Sequence, residues 1–160
     1  LAIRMDNGNF GDFFDDVQGL NDLQNGVVRI LHPSSFRDDP TRIFRAARYA
    51  GKLDFIVSDD TINAIHLAKD GIKNLSAHRT LHELNLIMDE ENAEVEVELL
   101  REWEILKSIH PMINRRFINR CSPNLVDVNI KYEARLIKWA LWLMVLPVEK
   151  IKQQCNDYNN

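Results

Sequence analysis

From Pro33 onward the apolar positions of this chain recur in steps of three and four, and before Pro33 they do not. Leu1–Met5 and Phe10–Asp15 alternate as extended segments around "DNGN". Asn-Gly between two such runs signals a hairpin, because a tight turn needs positive φ and Gly8 supplies it without strain. "GLNDLQNG" then predicts a short helix closed by Gly26, and "VVRIL" a third strand at Val27–Leu31. The later spacing predicts helices over Pro40–Asp54, Ser58–Gly71, Ser76–Asp89, Ala93–Ile109, Val126–Val145 and Val148–Asn156. Ser58 and Ser76 suit N-caps, and Gly71 suits a stop. "AEVEVELL" alternates with period two, yet Leu99, Leu100, Trp103 and Leu106 continue it at helical spacing, so the segment is assigned to helix. The fold class that follows is α+β and mostly α.

Composition narrows this picture only slightly. The 160 residues are 45% hydrophobic and 28% charged, an ordinary globular balance. A net charge of −4 means that a polyanionic partner must be met by a local basic face. Cys121 and Cys155 are too few for a disulfide framework and nothing resembles a signal peptide, which predicts a reducing, cytoplasmic setting. "LIKWALWLMVL" contains Lys138 and ends at Pro147, too short and too charged to span a bilayer. The chain opens at Leu1 inside a strand without an initiator Met, which predicts a segment of a longer protein.

The chemistry concentrates in Arg37–Ala50, "RDDPTRIFRAARYA". On a helical wheel Ile43, Ala46, Ala47 and Ala50 form one apolar stripe, with Asp39 and Arg42 three apart at its edge. Pro40 fits only the first helical position, which makes Asp39 the N-cap. Two readings are open at this point. In one, Asp39 caps the helix and Arg42 makes an exposed ion pair. In the other, acceptor and guanidinium face the Watson–Crick edge of adenine or cytosine. Asp39 then accepts from the exocyclic amine, Arg42 donates to the ring nitrogen, and Arg45 and Arg48 meet phosphates. Uracil and guanine place a carbonyl oxygen where that amine would be.

"FDDVQGLNDLQNGVVRIL" followed by "FRDDPTRIFRAARYAGKLDF" resembles the central portion of the class II tRNA nucleotidyltransferases, the CCA-adding and A-adding enzymes with the related bacterial poly(A) polymerases. Asp15, Gly19, Asp22 and Leu23 match that family's D-x-x-G-G-x-x-D-L motif, with Gln18 where the first glycine is usual. Asp38, Asp39, Arg42, Arg45, Ala46, Arg48 and Tyr49 match the motif E/D-D-x-x-R-x-x-R-A-x-R-F/Y. "LSAHRTLHEL" is similar to an S-x-E-R-x-x-x-E-L helix, keeping Ser76, Arg79, Glu83 and Leu84 but carrying His78 where Glu is usual. The resemblance covers about residues 1–115.

The resemblance implies a nucleotidyltransferase head ending over 1–33, a helical neck with the nucleobase-selecting helix over 34–89, and the start of a helical, RNA-binding body over 90–160. It implies an enzyme adding CMP and AMP, or AMP alone, to the 3′ end of tRNA, with ATP and CTP as substrates. Asp39 and Arg42 template the base, Arg45 and Arg48 complete the nucleotide site, and Asp15, Gly19 and Asp22 brace the join of head and neck. It also implies Mg²⁺, held by aspartates upstream of Leu1, so that this stretch alone carries no catalytic residue. A poly(A) polymerase acting on other RNA ends and a non-catalytic helical RNA-binding scaffold are the alternatives.

Arg115, Arg116 and Arg120 in "NRRFINR" suit either an RNA backbone or a solvated loop. Asp12, Asp15 and Asp16 suit strand-end acids better than a metal site. His78 and His82 lie four apart without a third ligand in sequence. Trp103, Trp139 and Trp142 sit at core spacing.

Overall fold

The computed structural model describes residues 2–6, 8–115 and 131–143. Its first unit is a hairpin: β1 (Ala2–Ile3) pairs antiparallel with β2 (Phe13–Phe14), Ala2 opposite Phe14. The ladder continues as Arg4 N–H bonds to the Asp12 carbonyl at 2.9 Å and Gly11 N–H to the Arg4 carbonyl at 3.0 Å. Gly8 and Gly11 both take positive φ, so the connection is a longer loop than a two-residue Asn-Gly turn. The apolar side chains of Ile3, Phe13 and Phe14 stay exposed.

Helix α1 (Gly19–Gln24) follows, closed as expected by Gly26 at φ 64°. Strand β3 (Val27–Val28) pairs in parallel with β4 (Ile56–Val57), Val27 opposite Ile56. The sequence pattern missed β4, having assigned only helices after Pro33. Two residues between a helix end and the Ser58 cap are too short to show a period.

A short turn of helix, α2 (Ser35–Asp38), leads into α3 (Thr41–Leu53). Then come α4 (Asp59–Ala68), a 3₁₀ turn over Lys69–Asn74, α5 (Ala77–Met88), α6 (Ala93–Glu102), α7 (Ile105–Ile109), a 3₁₀ turn over Pro111–Ile113, and α8 (Lys131–Leu143). Ser58 and Ser76 are N-caps: their hydroxyls accept from the N–H groups of Thr61 and Arg79.

Gly71 does not stop α4 as a left-handed cap; it lies inside the 3₁₀ turn, where a Cβ would meet Pro40 Cγ at 3.2 Å. The single helix predicted over Ala93–Ile109 is broken. Glu104 turns left-handed at φ 61°, where Lys69 and Lys107 pair with its carboxylate. Trp103 before the break and Ile105 and Leu106 after it are all buried. The predicted helix Val148–Asn156, both cysteines, Arg116 and Arg120 lie outside the described residues.

The core runs through these helices. Ile43, Phe44, Ala46 and Ala47 of α3 meet Ala93, Val97 and Leu100 of α6, with Ile65 of α4 and Ile87 of α5 joining them. The small residues let α3 and α6 approach closely. A Cβ on Gly51 would lie 2.4 Å from Glu96 Cγ, so this position admits only glycine without movement. Glu96 is itself fully buried and neither of its carboxylate oxygens has a hydrogen-bond partner. Burial raises its pKa from 4.5 to about 8; the charge of Glu90 adds to the shift, while Arg48, Lys138 and Lys52 oppose it.

Gly51→Ala is expected to destabilise the fold by about 1–3 kcal/mol by overpacking, and Glu96→Ala in the same chain should recover much of that loss. Chemical denaturation of the single and double variants measures it. The buried acid also sets a pH dependence. Unfolded, Glu96 releases its proton near 4.5; folded, it keeps it to about 8, so its contribution to stability falls as pH rises between those values. The decline should be on the order of a few kcal/mol, and Glu96→Gln should flatten it in denaturation curves taken across that range.

Candidate functional site

The site begins where the backbone changes from extended to helical. Asp39 is extended at φ −145°, ψ 98°, and Pro40 is already helical at φ −62°, ψ −19°. One carboxylate oxygen of Asp39, Oδ1, accepts the N–H of Thr41 at 3.2 Å and its hydroxyl at 2.7 Å. The regular helix starts at Thr41, yet Asp39 performs the capping that the sequence assigned to it. The same Oδ1 accepts from Nη2 of Arg79 at 3.0 Å, a residue of α5. Burial alone raises the Asp39 pKa, but the bonds from Thr41 and the charges of Arg79 and Arg42 outweigh it and hold the carboxyl below its ordinary value. Asp39 is an anionic acceptor at neutral pH.

The inner face of α3 is fixed by the core, so its outer face is a rigid platform. Arg42, Arg45 and Tyr49 are exposed along that face, spaced by three and four, and Lys52 continues the row. Arg42 reaches back to the Ser35 carbonyl at 3.4 Å, and its charge is felt at Asp39. The hydrogen bond from Arg45 is the main cause that depresses the phenol pKa of Tyr49, against burial. Arg48 is half-buried, its guanidinium carbon 5.5 Å from the Tyr49 ring centroid, a cation–π contact. Lys52 is paired with Glu90 at 2.8 Å.

The upstream motif has a different job. Both oxygens of Asp15 are taken by backbone N–H groups opening α1: Oδ1 by Gly19 at 3.0 Å and Oδ2 by Leu20 at 2.7 Å. The Leu20 bond is the largest cause that lowers the Asp15 pKa. Gln18 sits left-handed at φ 55°, a region that costs a side-chain-bearing residue about 1 kcal/mol. That is the physical reason a glycine suits this position. Asp22, nearly buried, takes Nε of Arg29 on both oxygens at 3.1 and 3.0 Å, tying α1 to the chain after β3.

These acids do not fit a divalent cation. Asp15 has no free oxygen of its pair, and among the described residues no group of three His, Cys, Asp or Glu side chains could hold a metal. His78 and His82 stand exposed on α5. Arg115 is exposed, and its carbonyl accepts from Trp142 Nε1 at 3.4 Å. Trp103 and Trp142 are buried, and Trp139 gives its indole N–H to Asn85 at 2.9 Å.

Sequence reasoning placed Arg79 in a motif but gave it no role, and it passed over Thr41. Arg79 is 40 positions from Asp39, so no local spacing links the two. Thr41 was findable: a hydroxyl residue two after an N-cap acid competes for the same carboxylate.

Residues 54–117 match the family model described as "Probable RNA and SrmB- binding site of polymerase A". The chain is similar to an A-adding tRNA nucleotidyltransferase of Aquifex aeolicus, 35% identical over 68% of this chain and 14% of the relative. Poly(A) polymerase I of Salmonella typhimurium is 31% identical over 64% of this chain and 23% of its own length. A solved tRNA nucleotidyltransferase, in complex with a primer tRNA and an incoming ATP analog, superposes with a TM-score of 0.74 at 26% identity. That match covers 94% of this chain and 48% of the other. The chain thus spans less than half the length of each of these three relatives. Among the described residues no helix is long and apolar enough to cross a membrane. With the motif residues of α1 and α3 folded as a cap, an interhelix tie and an exposed guanidinium row, this chain belongs to the family of tRNA nucleotidyltransferases and bacterial poly(A) polymerases.

Proposed function

We propose that this chain is the base-selecting segment of a template-independent nucleotidyltransferase that adds CMP and AMP, or AMP alone, to the 3′ end of tRNA. The observation that carries the reading is the ionised carboxylate of Asp39, locked at the mouth of a helix whose inner face is buried, with Arg42 one turn inside. An acceptor beside a guanidinium matches an edge that offers an amine next to a ring nitrogen, which adenine and cytosine share. Rigidity matters because a selector that moves with its ligand discriminates poorly. ATP and CTP are then the substrates, and Arg45, with Arg48 behind it, completes the nucleotide side. Asp15, Gly19 and Asp22 hold the joint between the head (1–33) and the helical neck (34–89). RNA is gripped by the body (90–160), where Arg115, Arg116 and Arg120 contribute. The RNA-binding family model over 54–117 supports contact with RNA. The metal ions of the transfer reaction are carried by another part of the protein, and a cytoplasmic setting belongs to the same reading.

Asp39→Ala, made in the full-length protein that carries this segment, is expected to narrow the preference for ATP and CTP over GTP and UTP by about tenfold or more. Affinity for tRNA should stay within about twofold of the parent. Nucleotide incorporation measured one triphosphate at a time tests this; an unaltered preference would rule the role out. A second reading, a poly(A) polymerase, is favoured by the description of the family model over 54–117 and by the Salmonella relative. Comparing tRNA with an unstructured RNA as acceptor in the same assay separates the two.

A further inference from the structure

Arg79 has an acid within reach on its own helix and does not pair with it. Glu83 lies one turn further along α5, and its Oε2 is buried without a hydrogen-bond partner. The guanidinium of Arg79 instead crosses to the turn that precedes α3 and donates to Oδ1 of Asp39 at 3.0 Å. Its backbone is fixed as well, because the Arg79 N–H is the donor that the Ser76 cap accepts at 3.3 Å. Position and direction of the side chain are therefore set from both ends. Pro40, packed against Gly71, fixes the other half of the joint.

The consequence is an asymmetric carboxylate. The Thr41 N–H, the Thr41 hydroxyl and Arg79 converge on the single oxygen Oδ1. Among the described residues no donor is bonded to Oδ2. A carboxylate normally turns about its terminal bond and offers either oxygen, whereas three donors on one oxygen fix the plane of the group. Thr41 supplies two of these from the adjoining turn of backbone, but only Arg79 comes from outside α3 and ties the carboxylate to a second helix.

We propose that Arg79 is a positioning residue for base selection: by occupying one oxygen of Asp39, it leaves the other as the only acceptor available to the exocyclic amine of the incoming base. This deepens the proposed function and rests on it. Arg79 touches neither base nor phosphate in this scheme; it acts through Asp39. The Asp39 and Arg79 side chains are 32% and 55% exposed, so the pair contributes little to folding, and its effect should appear in discrimination.

The test uses the full-length protein, with kcat/KM determined separately for ATP and GTP on one acceptor, beside a thermal melt. Arg79→Met should reduce the ATP-to-GTP ratio by about tenfold, the loss of one charge-assisted bond, chiefly through KM for ATP and with little change in Tm. Arg79→Lys, which keeps a donor for Oδ1, should restore much of the ratio. Asp39→Ala is the reference arm. If it lowers the ratio while Arg79→Met leaves it intact, the positioning role is overturned and base selection by Asp39 stands. If Asp39→Ala also leaves the ratio intact, both fall. Equal losses for ATP and GTP in Arg79→Met, accompanied by a drop in Tm, would show a purely structural tie and overturn the proposal too.

Discussion

The close approach of α3 and α6 is the constraint on which the rest depends. Ala46, Ala47, Ala50 and Gly51 turn the inner face of α3 into a nearly smooth surface, and α6 lies against it with Ala93, Val97 and Leu100. Burial on that side removes every freedom of α3 except what its ends allow. The N-terminal end is then held by an acid, a proline and a threonine, and the outer face is left to arginines. A guanidinium on a loose helix would be a solvated charge, worth little to any ligand. Set on a helix wedged by alanines, the same group is pre-positioned. The buried Glu96 beneath Gly51 shows how tight the wedge is, since a carboxyl group without partners is retained where an apolar side chain would cost less.

Charge along α3 is distributed by this packing and not by the sequence order alone. Arg42 and Arg45 are exposed, whereas Arg48 is half withdrawn, lies over Tyr49 and feels Glu96. Lys52 is spent on Glu90. The row therefore fades in availability from the N-terminal end toward the C-terminal end, and its open guanidiniums are those of Arg42 and Arg45. Arg48 braces the row from behind through its contact with the Tyr49 ring.

Much of this was legible in the residues. Alternation and Asn-Gly gave the hairpin, Ser58 and Ser76 gave two caps, and the Asp-Pro pair gave the start of α3. Each of these signals is local: the cause lies within four residues of the effect. What escaped was long-range or conformational. The parallel pairing of Val27 with Ile56 depends on where α3 returns the chain. The left-handed turns at Gln18 and Glu104 have no glycine to announce them. The bond from Arg79 to Asp39 joins two motifs that sequence presents as separate. Gly71 was identified as significant for the wrong reason; it is small because Pro40 needs the room.

If Asp39 and Arg42 read the incoming base as proposed, their geometry also bounds what they can decide. Adenine and cytosine offer the same pair, an amine beside a ring nitrogen, so an acceptor and a guanidinium in fixed positions treat them alike. Rejection of guanine and uracil follows from the edge; choosing between ATP and CTP does not. The two differ in size by a fused ring, and a size criterion needs a wall opposite the edge. Nothing on α3 supplies one, because the exposed row is open on its outer side. Whatever distinguishes an enzyme that adds A from one that adds C must therefore close over Asp39 and Arg42 from elsewhere, by limiting space. On the proposed reading, this chain reads the edge of the base, and the product is determined by whatever element faces it.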